Sequence, residues 1–262
     1  MRVVLANILA IYRRELQSYF ASPLAYVVAG VFWLLTGFFF VVTLNLLTQQ
    51  IAYADSLGYT QAIDAPYQFL QAFLGVVSSI ALFILPILSM GLYAEERKRG
   101  TLELLATSPV TNWAVALGKL LGVLTFFITL LVPLLFYEAI VLSASTPPFS
   151  PAVVLSGHLG LILLAAAILS LGMFISSLTD STIVAAVSTF GLILLLWVID
   201  TLAQRLGGVA GAVLGHLSLL KHYTNLVQGI LDSSSLLLFA SYILLGLFLT
   251  AQAVDAFRFQ RS

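Results

Sequence analysis

The charged segment Tyr93–Leu105 has the sequence YAEERKRGTLELL and lies between two long apolar runs. The chain has 11 basic and 11 acidic residues, and six of these 22 fall within the nine positions 95–103. A charged side chain at the centre of a membrane costs roughly 2.5–3.5 kcal/mol, so this segment is expected to lie in water. A short helix-like run follows Gly100 and ends at Ser108-Pro109, which predicts a structured loop that serves as a docking surface.

The composition defines the broad class of the protein. Of 262 residues, 61% are hydrophobic and 8% charged, against roughly 45–50% hydrophobic residues in soluble domains. The formal net charge of zero gives no electrostatic footprint for nucleic acid. The absence of cysteine excludes a disulfide scaffold, thiol chemistry and cysteine-based metal sites. These values indicate an integral membrane protein.

Apolar runs of about 18–25 residues predict six membrane-spanning helices, and hence an all-α membrane fold. The predicted spans are Leu24–Leu47, Ala72–Tyr93, Leu117–Leu142, Ser156–Ile175, Thr182–Ile199 and Leu236–Val254. The first apolar stretch, Val3–Ile11, is short and is followed by charges, so we do not expect a cleaved signal peptide.

Basic residues predict the orientation of these spans. With the N-terminus in the cytoplasm, only Arg205 and Lys221 lie outside. The nine residues that lie inside are Arg2, Arg13, Arg14, Arg97, Lys98, Arg99, Lys119, Arg258 and Arg261. The positive-inside rule therefore predicts a cytoplasmic charged loop (residues 94–116), and both termini in the cytoplasm.

Residues 1–22 are predicted to form an amphipathic helix that lies on the inner leaflet and ends at Ser22-Pro23. Apolar side chains recur at spacings of three and four at Ile8, Tyr12, Leu16, Tyr19 and Phe20. Arg13, Arg14 and Gln17 lie towards the other side. The alternative is an N-terminus that carries positive charge without a helix on the membrane surface.

The segment Asp200–Ser235 is too long for a turn and too apolar for a solvated loop. Gly207, Gly211 and Gly215 recur at every fourth position, as in a small-residue stripe on one helix. We expect one or two short outer helices that dip into the membrane, and a loose glycine-rich loop is the alternative.

Motif searches favour no catalytic function. Gly118-Lys119 is followed by Leu120, so no P-loop is present, and the three histidines are too scattered to suggest a metal site. An intramembrane glutamate protease would need an arginine four positions after the second glutamate. Gly100 occupies that position after Glu96, so the protease hypothesis is weak.

Polar residues within the spans have two interpretations each. Glu138 is either a proton or substrate group, paired with His158 across a short outer hairpin, or a residue that reaches the outer headgroups or caps a local polar contact. The other polar residues form helix–helix hydrogen bonds worth about 0.6 kcal/mol each, or line a pathway. They are Thr36, Thr43, Asn45, Ser78, Ser79, Ser188 and Thr189.

A helix from Gly100 to Thr107 would be roughly 12 Å long. Leu102 and Leu105 would be exposed on one face, ready for the groove of a partner protein. Alternatively, these leucines and Leu104 dip into the membrane surface. Either Thr111 or Asn112 is expected to cap the next helix.

Residues Glu95–Pro109, with Gly118-Lys119 after them, resemble the cytoplasmic loop of ABC-2-type transporter permeases. The likeness is greatest to the gliding-motility (Gld) type and to the permease of nitrous-oxide-reductase maturation. Tyr12–Pro23 resembles the N-terminal helix of the family, and Phe174–Thr179 its loop between spans four and five. A pattern before the last span is matched at Ser218, His222, Gly229 and Asp232.

The resemblance implies a non-enzymatic permease subunit of an exporter in a prokaryotic inner membrane. A separate P-loop ATPase would bind ATP and Mg²⁺, while this chain holds no cofactor or metal. The permease would pair with a second copy or a sister permease, with an extra outer-face subunit as a further candidate partner. The alternative is a membrane scaffold of a motility or secretion complex that transports nothing. The sequence indicates no substrate.

The same resemblance implies site residues. The ATPase-coupling interface would be Glu95, Glu96, Arg97, Lys98, Arg99, Gly100, Thr101, Leu102, Glu103, Leu104, Leu105, Thr107, Ser108 and Pro109. The interfacial helix would contribute Tyr12, Arg13, Arg14, Glu15 and Leu16. The candidate translocation path would include Thr36, Thr43, Ser78, Ser79 and Ser188.

Overall fold

The computed structural model describes residues 2–58, 64–102, 110–145, 149–206 and 208–259. All regular structure in these ranges is α-helical. The helices are α1 (Arg2–Ala21), α2 (Pro23–Ser56), α3 (Ala65–Ser89), α4 (Gly91–Lys98), α5 (Asn112–Ser143), α6 (Pro151–Leu178), α7 (Thr182–Arg205), α8 (Gly208–Leu217), α9 (Leu219–Val227) and α10 (Ser233–Phe259).

Six helical stretches in the described residues are long and apolar enough to cross a membrane, which confirms the predicted six-span fold. They are Pro23–Ser56, Ala65–Lys98, Asn112–Ser143, Pro151–Leu178, Thr182–Ala203 and Ser233–Phe257. All six extend beyond the predicted spans, because hydropathy marks only the apolar part of a helix while its hydrogen-bonded backbone continues into polar sequence.

Helix α6 forms the centre of the bundle and is the most buried of the spans. It packs against α10 most extensively, and also against α3, α4, α5, α7 and α9. Glycines allow this close packing: a Cβ on Gly172 would lie 2.3 Å from the Ser89 hydroxyl, and one on Gly160 would lie 2.9 Å from Leu226 Cβ. Helices α2 and α7 lie at the periphery, with about half of their apolar side chains exposed.

Helix α1 is amphipathic as predicted, but its half-buried face packs against α5. A Cβ on Gly118 would lie 2.8 Å from the Ile11 side chain, and one on Gly122 would lie 2.7 Å from Glu15 Cβ. These two glycines, one helical turn apart, form the groove in which α1 lies. The first half of α5 therefore covers one side of α1, and the position of α1 on the inner leaflet stays a prediction.

A break at Met90 separates α3 from α4 and comes four residues after Pro86. Ser176 of α6 compensates for this break. Its hydroxyl oxygen accepts hydrogen bonds from the backbone N–H groups of Tyr93 (3.1 Å) and Ala94 (3.0 Å), and the hydroxyl donates to Met90 O at 2.7 Å. A side chain from another helix thus satisfies N–H groups that the first turn of α4 leaves free.

The segment 200–235 contains two short helices, α8 and α9, as expected, and α7 extends into it as far as Arg205. Helix α9 lies near the start of α3, because Tyr223 Oη donates to Leu74 O at 2.8 Å. The end of the bundle that contains α9 is therefore opposite the end that contains α4. The depth of α8 and α9 in a membrane stays a prediction, and Gly207 lies outside the described residues.

Candidate functional site

The end of the bundle where α1, α4 and the first turns of α5 meet carries a buried ionic cluster and is called the charged end below. Lys119 of α5 is 4% exposed. Its Nζ lies 2.9 Å from Glu96 Oε1 on α4 and 3.3 Å from Glu15 Oε2 on α1. The ammonium also donates to Leu92 O at 2.7 Å. One buried cation therefore joins three helices that are distant in sequence.

The Glu96 carboxylate is held in this cluster at the C-terminal end of α4. Gly100 ends the helix with a left-handed φ of +70°. Thr101 N donates to Glu96 O at 2.9 Å and Gly100 N to Arg97 O at 3.2 Å, which is the Schellman pattern of a helix terminus. The turn reverses the chain directly after the cluster, so the segment that follows begins at a fixed position.

Leu102 is 2% exposed and belongs to the hydrophobic core of the described chain. The expectation that its side chain is exposed is therefore wrong, and its place in the coupling interface stays a prediction. The reason is the reversal at Gly100, which bends the chain back onto the bundle. The rest of the predicted coupling helix lies outside the described residues: Glu103, Leu104, Leu105, Thr107, Ser108 and Pro109.

Arg97 connects α4 to the other side of the bundle. Its guanidinium donates to Ser177 O at the end of α6, at 3.0 Å, and lies 4.6 Å from the centre of the Phe257 ring of α10. Thr111 caps the start of α5, as expected. The side-chain amide of the next residue, Asn112, donates to Asp255 Oδ1 of α10 at 2.6 Å. The charged end thus fixes α4 against α1, α5, α6 and α10.

A cavity of about 220 Å³ opens beside the cluster. Its charged lining consists of Arg14, Glu15, Glu95, Glu96, Arg99 and Lys119. Glu95 and Arg99 form an exposed pair at 3.3 Å, and Lys98 is exposed as well. Among the coupling residues that the structure describes, Glu96 and Arg97 are half-buried and join helices, whereas Glu95, Lys98 and Arg99 are exposed.

The interfacial-helix residues divide in the same way. Arg13 and Arg14 are exposed, while Tyr12, Glu15 and Leu16 are half-buried. The next turn is fixed by Tyr19, whose hydroxyl donates to Leu88 O at 2.6 Å. Burial is the main reason that the pKa of the Tyr19 phenol lies well above its usual range, so this hydroxyl keeps its proton.

The structure does not bring the candidate path residues together. Ser78 and Ser79 line a cavity of about 290 Å³ between α3, α7 and α9. Thr36 is fully buried and donates to Phe32 O of its own helix at 2.7 Å. Thr43 is half-buried and Ser188 is exposed. The path itself stays a prediction.

Glu138 is fully buried, so it does not reach the outer headgroups. Its Oε2 lies 3.7 Å from His158 Nε2, which brings together the two residues that were considered as a pair. This pair lies in the half of the bundle away from the charged end, between the end of α5 and the start of α6.

Sequence reasoning did not assign Lys119 and Ser176 to the site. A lysine at the third position of the predicted span Leu117–Leu142 was the available signal for the first, because a charge there requires an acidic partner. The resemblance at Phe174–Thr179 includes Ser176 but indicates no partner for it, since its donors and acceptor lie more than 80 positions earlier.

The chain is thus an all-α, multi-pass membrane protein whose charged end joins the N-terminal helix α1 to α4 and α5. The family model described as ABC-2 family transporter protein matches residues 9–262. The chain therefore belongs to the ABC-2 transporter family and is a membrane permease, a non-catalytic transport component. No curated protein matches the chain.

Proposed function

We propose that the chain is the membrane subunit of an exporter, driven by a separate ATPase chain that binds ATP and Mg²⁺. The family supports this proposal, and the position of α4 carries it. Helix α4 ends in the predicted cytoplasmic loop, residues 94–116, and is bonded to α1 and α5 through Lys119. Arg97 bonds it to α6 and contacts α10. A displacement of the loop would therefore act on four helices.

In this proposal the ATPase contacts the exposed residues of the charged end, Glu95, Lys98 and Arg99, together with residues 103–109. Closure of the ATPase on ATP would move α4 as a rigid element, because Ser176 holds its start and Lys119 contacts Glu96 near its end. The coupling free energy would come from the different affinity of the ATPase for two arrangements of the bundle.

A second copy or a sister permease would cover part of α2 and α7. Only 22% and 17% of the residues in their most apolar stretches are buried. The charged end would face the cytoplasm of a prokaryotic cell, with both termini on that side, as the distribution of basic residues favours. Within the family, Glu95–Pro109 favours the gliding-motility or nitrous-oxide-reductase maturation type. Neither type fixes a cargo, and an outer-face subunit is a further candidate partner.

A pull-down from native membranes in mild detergent tests the proposal, with subunit ratios measured by mass spectrometry. The wild-type chain is expected to retain a P-loop ATPase in a ratio of roughly 1:1, because each permease half would dock one ATPase. Lys98→Glu is expected to reduce this recovery, because a reversed charge at a polar contact opposes association. Leu102 is unsuitable for this test, since a charge there would disrupt the core.

Lys221→Glu is the matched control, because Lys221 is also exposed but belongs to α9 at the opposite end. An ATPase that is lost equally from both variants would contradict docking at the charged end. A chain that retains no ATPase at all would contradict the proposed function. Retention of the ATPase without cargo movement in vesicles would favour the scaffold alternative.

A further inference from the structure

The Glu138–His158 pair is isolated from water and from other polar partners in the described chain. Glu138 is fully buried and His158 is 4% exposed. Both carboxylate oxygens of Glu138 and Nε2 of His158 lack a hydrogen-bond partner. An ionised carboxylate in such a place is costly unless it is paired. The pair therefore requires an explanation that neither helix packing nor the charged end supplies.

The hydrogen bond on the other side of the imidazole determines which atom faces Glu138. His158 Nδ1 lies 3.0 Å from Val154 O, one turn earlier on α6. A carbonyl oxygen only accepts, so Nδ1 carries a proton. In the neutral imidazole, Nε2 then presents a lone pair towards Glu138 Oε2 at 3.7 Å. Two acceptors would face each other if the glutamate were ionised.

We propose that Glu138 and His158 bind one proton between them and so form a buried proton site that joins α5 to α6. The proton resides either on the carboxyl group, which then donates to Nε2, or on Nε2, which then donates to the carboxylate. In both arrangements the proton replaces repulsion by attraction, which draws the two groups from their 3.7 Å separation into hydrogen-bond distance. Proton binding therefore holds the end of α5 against the start of α6.

Neighbouring ionisable groups do not replace this proton. Tyr223 of α9 interacts with the charge of Glu138, but its hydroxyl donates to Leu74 O. Burial is the main reason that the pKa of Tyr223 lies well above its usual range, so Tyr223 stays neutral. The other ionisable residues in this half, on the helices packed around the pair, are Tyr53, Asp55, Tyr67, Tyr137, Lys221, His222 and Tyr242.

The sign of the expected pH effect follows from proton linkage. The folded chain holds the shared proton, whereas the separated residues in an unfolded chain release it near their ordinary values of about 4.3 and about 6.5. The folded state therefore binds more protons above neutral pH, and stability falls as the pH rises. Glu138→Gln replaces the carboxyl with an amide that donates to Nε2 without titrating, so this part of the pH dependence should disappear.

The test is thermal unfolding of the full chain in detergent between about pH 7 and about pH 9.5. The wild-type midpoint is expected to fall by about 2–4 °C, the shift that one ordinary hydrogen bond produces in a chain of this size. Glu138→Gln should lose that fall. Asp55→Asn, which changes an exposed acid on α2, should keep it. Parallel pH profiles for the wild type and Glu138→Gln would overturn the proposal.

Infrared spectroscopy of the wild type provides a second measurement if Glu138→Gln does not fold. At about pH 8, exposed carboxyl groups and exposed imidazoles have lost their protons. The proposal expects a remaining band from a protonated carboxylic acid or from an imidazolium ring. A spectrum with only carboxylate and neutral imidazole would overturn it. This site is independent of the ATPase, so failure of either proposal leaves the other standing.

Discussion

Lys119 Nζ lies 2.9 Å from Glu96 Oε1, and through this contact the first turns of α5 hold the end of α4. The lysine also reaches Glu15 of α1 at 3.3 Å and the carbonyl of Leu92. Because the ammonium is buried among groups that satisfy it, the cluster functions as a joint between helices rather than as a surface ion pair.

Replacement of this joint is expected to be costly. Lys119→Met keeps the length of the side chain but leaves Glu15 and Glu96 without their cation. Removal of one partner from a buried ion pair costs about 3–5 kcal/mol, and the partial exposure of both acids brings the expected loss to about 2–4 kcal/mol.

Thermal unfolding in detergent measures the loss. The triple variant Lys119→Met, Glu15→Gln and Glu96→Gln should recover part of it, since no uncompensated charge remains. An unchanged unfolding temperature for Lys119→Met would show that the cluster does not hold the helices.

The close packing of α1 against α5 depends on Gly118 and Gly122. Gly122→Ala would place a Cβ 2.7 Å from Glu15 Cβ, so α1 must shift outward. We expect a loss of about 1–3 kcal/mol in the free energy of unfolding. Gly37→Ala is the control, because a Cβ there has nothing within 4 Å. Equal stability of the two variants, measured by thermal unfolding, would contradict the close approach of α1.

Ser176 holds the break between α3 and α4. Ser176→Ala removes the acceptor for Tyr93 N–H and Ala94 N–H and leaves them buried. The expected cost is about 1–3 kcal/mol. Ser241→Ala is the control, since that hydroxyl is exposed and donates only to Leu237 O of its own helix. If the two variants unfold at the same temperature, the break at Met90 does not depend on α6.

The six spans were predictable because hydropathy is a property of continuous sequence. Local chemistry also predicted the entry at Ser22-Pro23 and the Thr111 cap, as both signals lie within a few residues of the feature. The pairing of Glu138 with His158 was considered because a short hairpin brings the two residues to the same end.

Contacts between distant elements were not predictable in the same way. Lys119 joins residues 23 and 104 positions away, and no local spacing encodes such partners. The burial of Leu102 depends on the direction that the chain takes after Gly100, whereas the helical spacing alone suggested an exposed leucine. The partners of Lys119 and the burial of Leu102 were missed for the same reason. A periodic pattern identifies the apolar face of a helix but does not indicate which element packs against that face.

Orientation in the membrane can be tested directly, because the chain contains no cysteine. Arg13→Cys places an exposed thiol on α1 at the charged end, and Ser56→Cys places one at the opposite end of α2. In intact spheroplasts, a membrane-impermeant thiol reagent should label Ser56→Cys and leave Arg13→Cys unlabelled, since basic residues favour the cytoplasmic side. After lysis, the reagent should label Arg13→Cys as well. Labelling of Arg13→Cys before lysis would show the opposite orientation. The charged end, with its exposed Lys98 and Arg99, would then face away from any cytoplasmic ATPase.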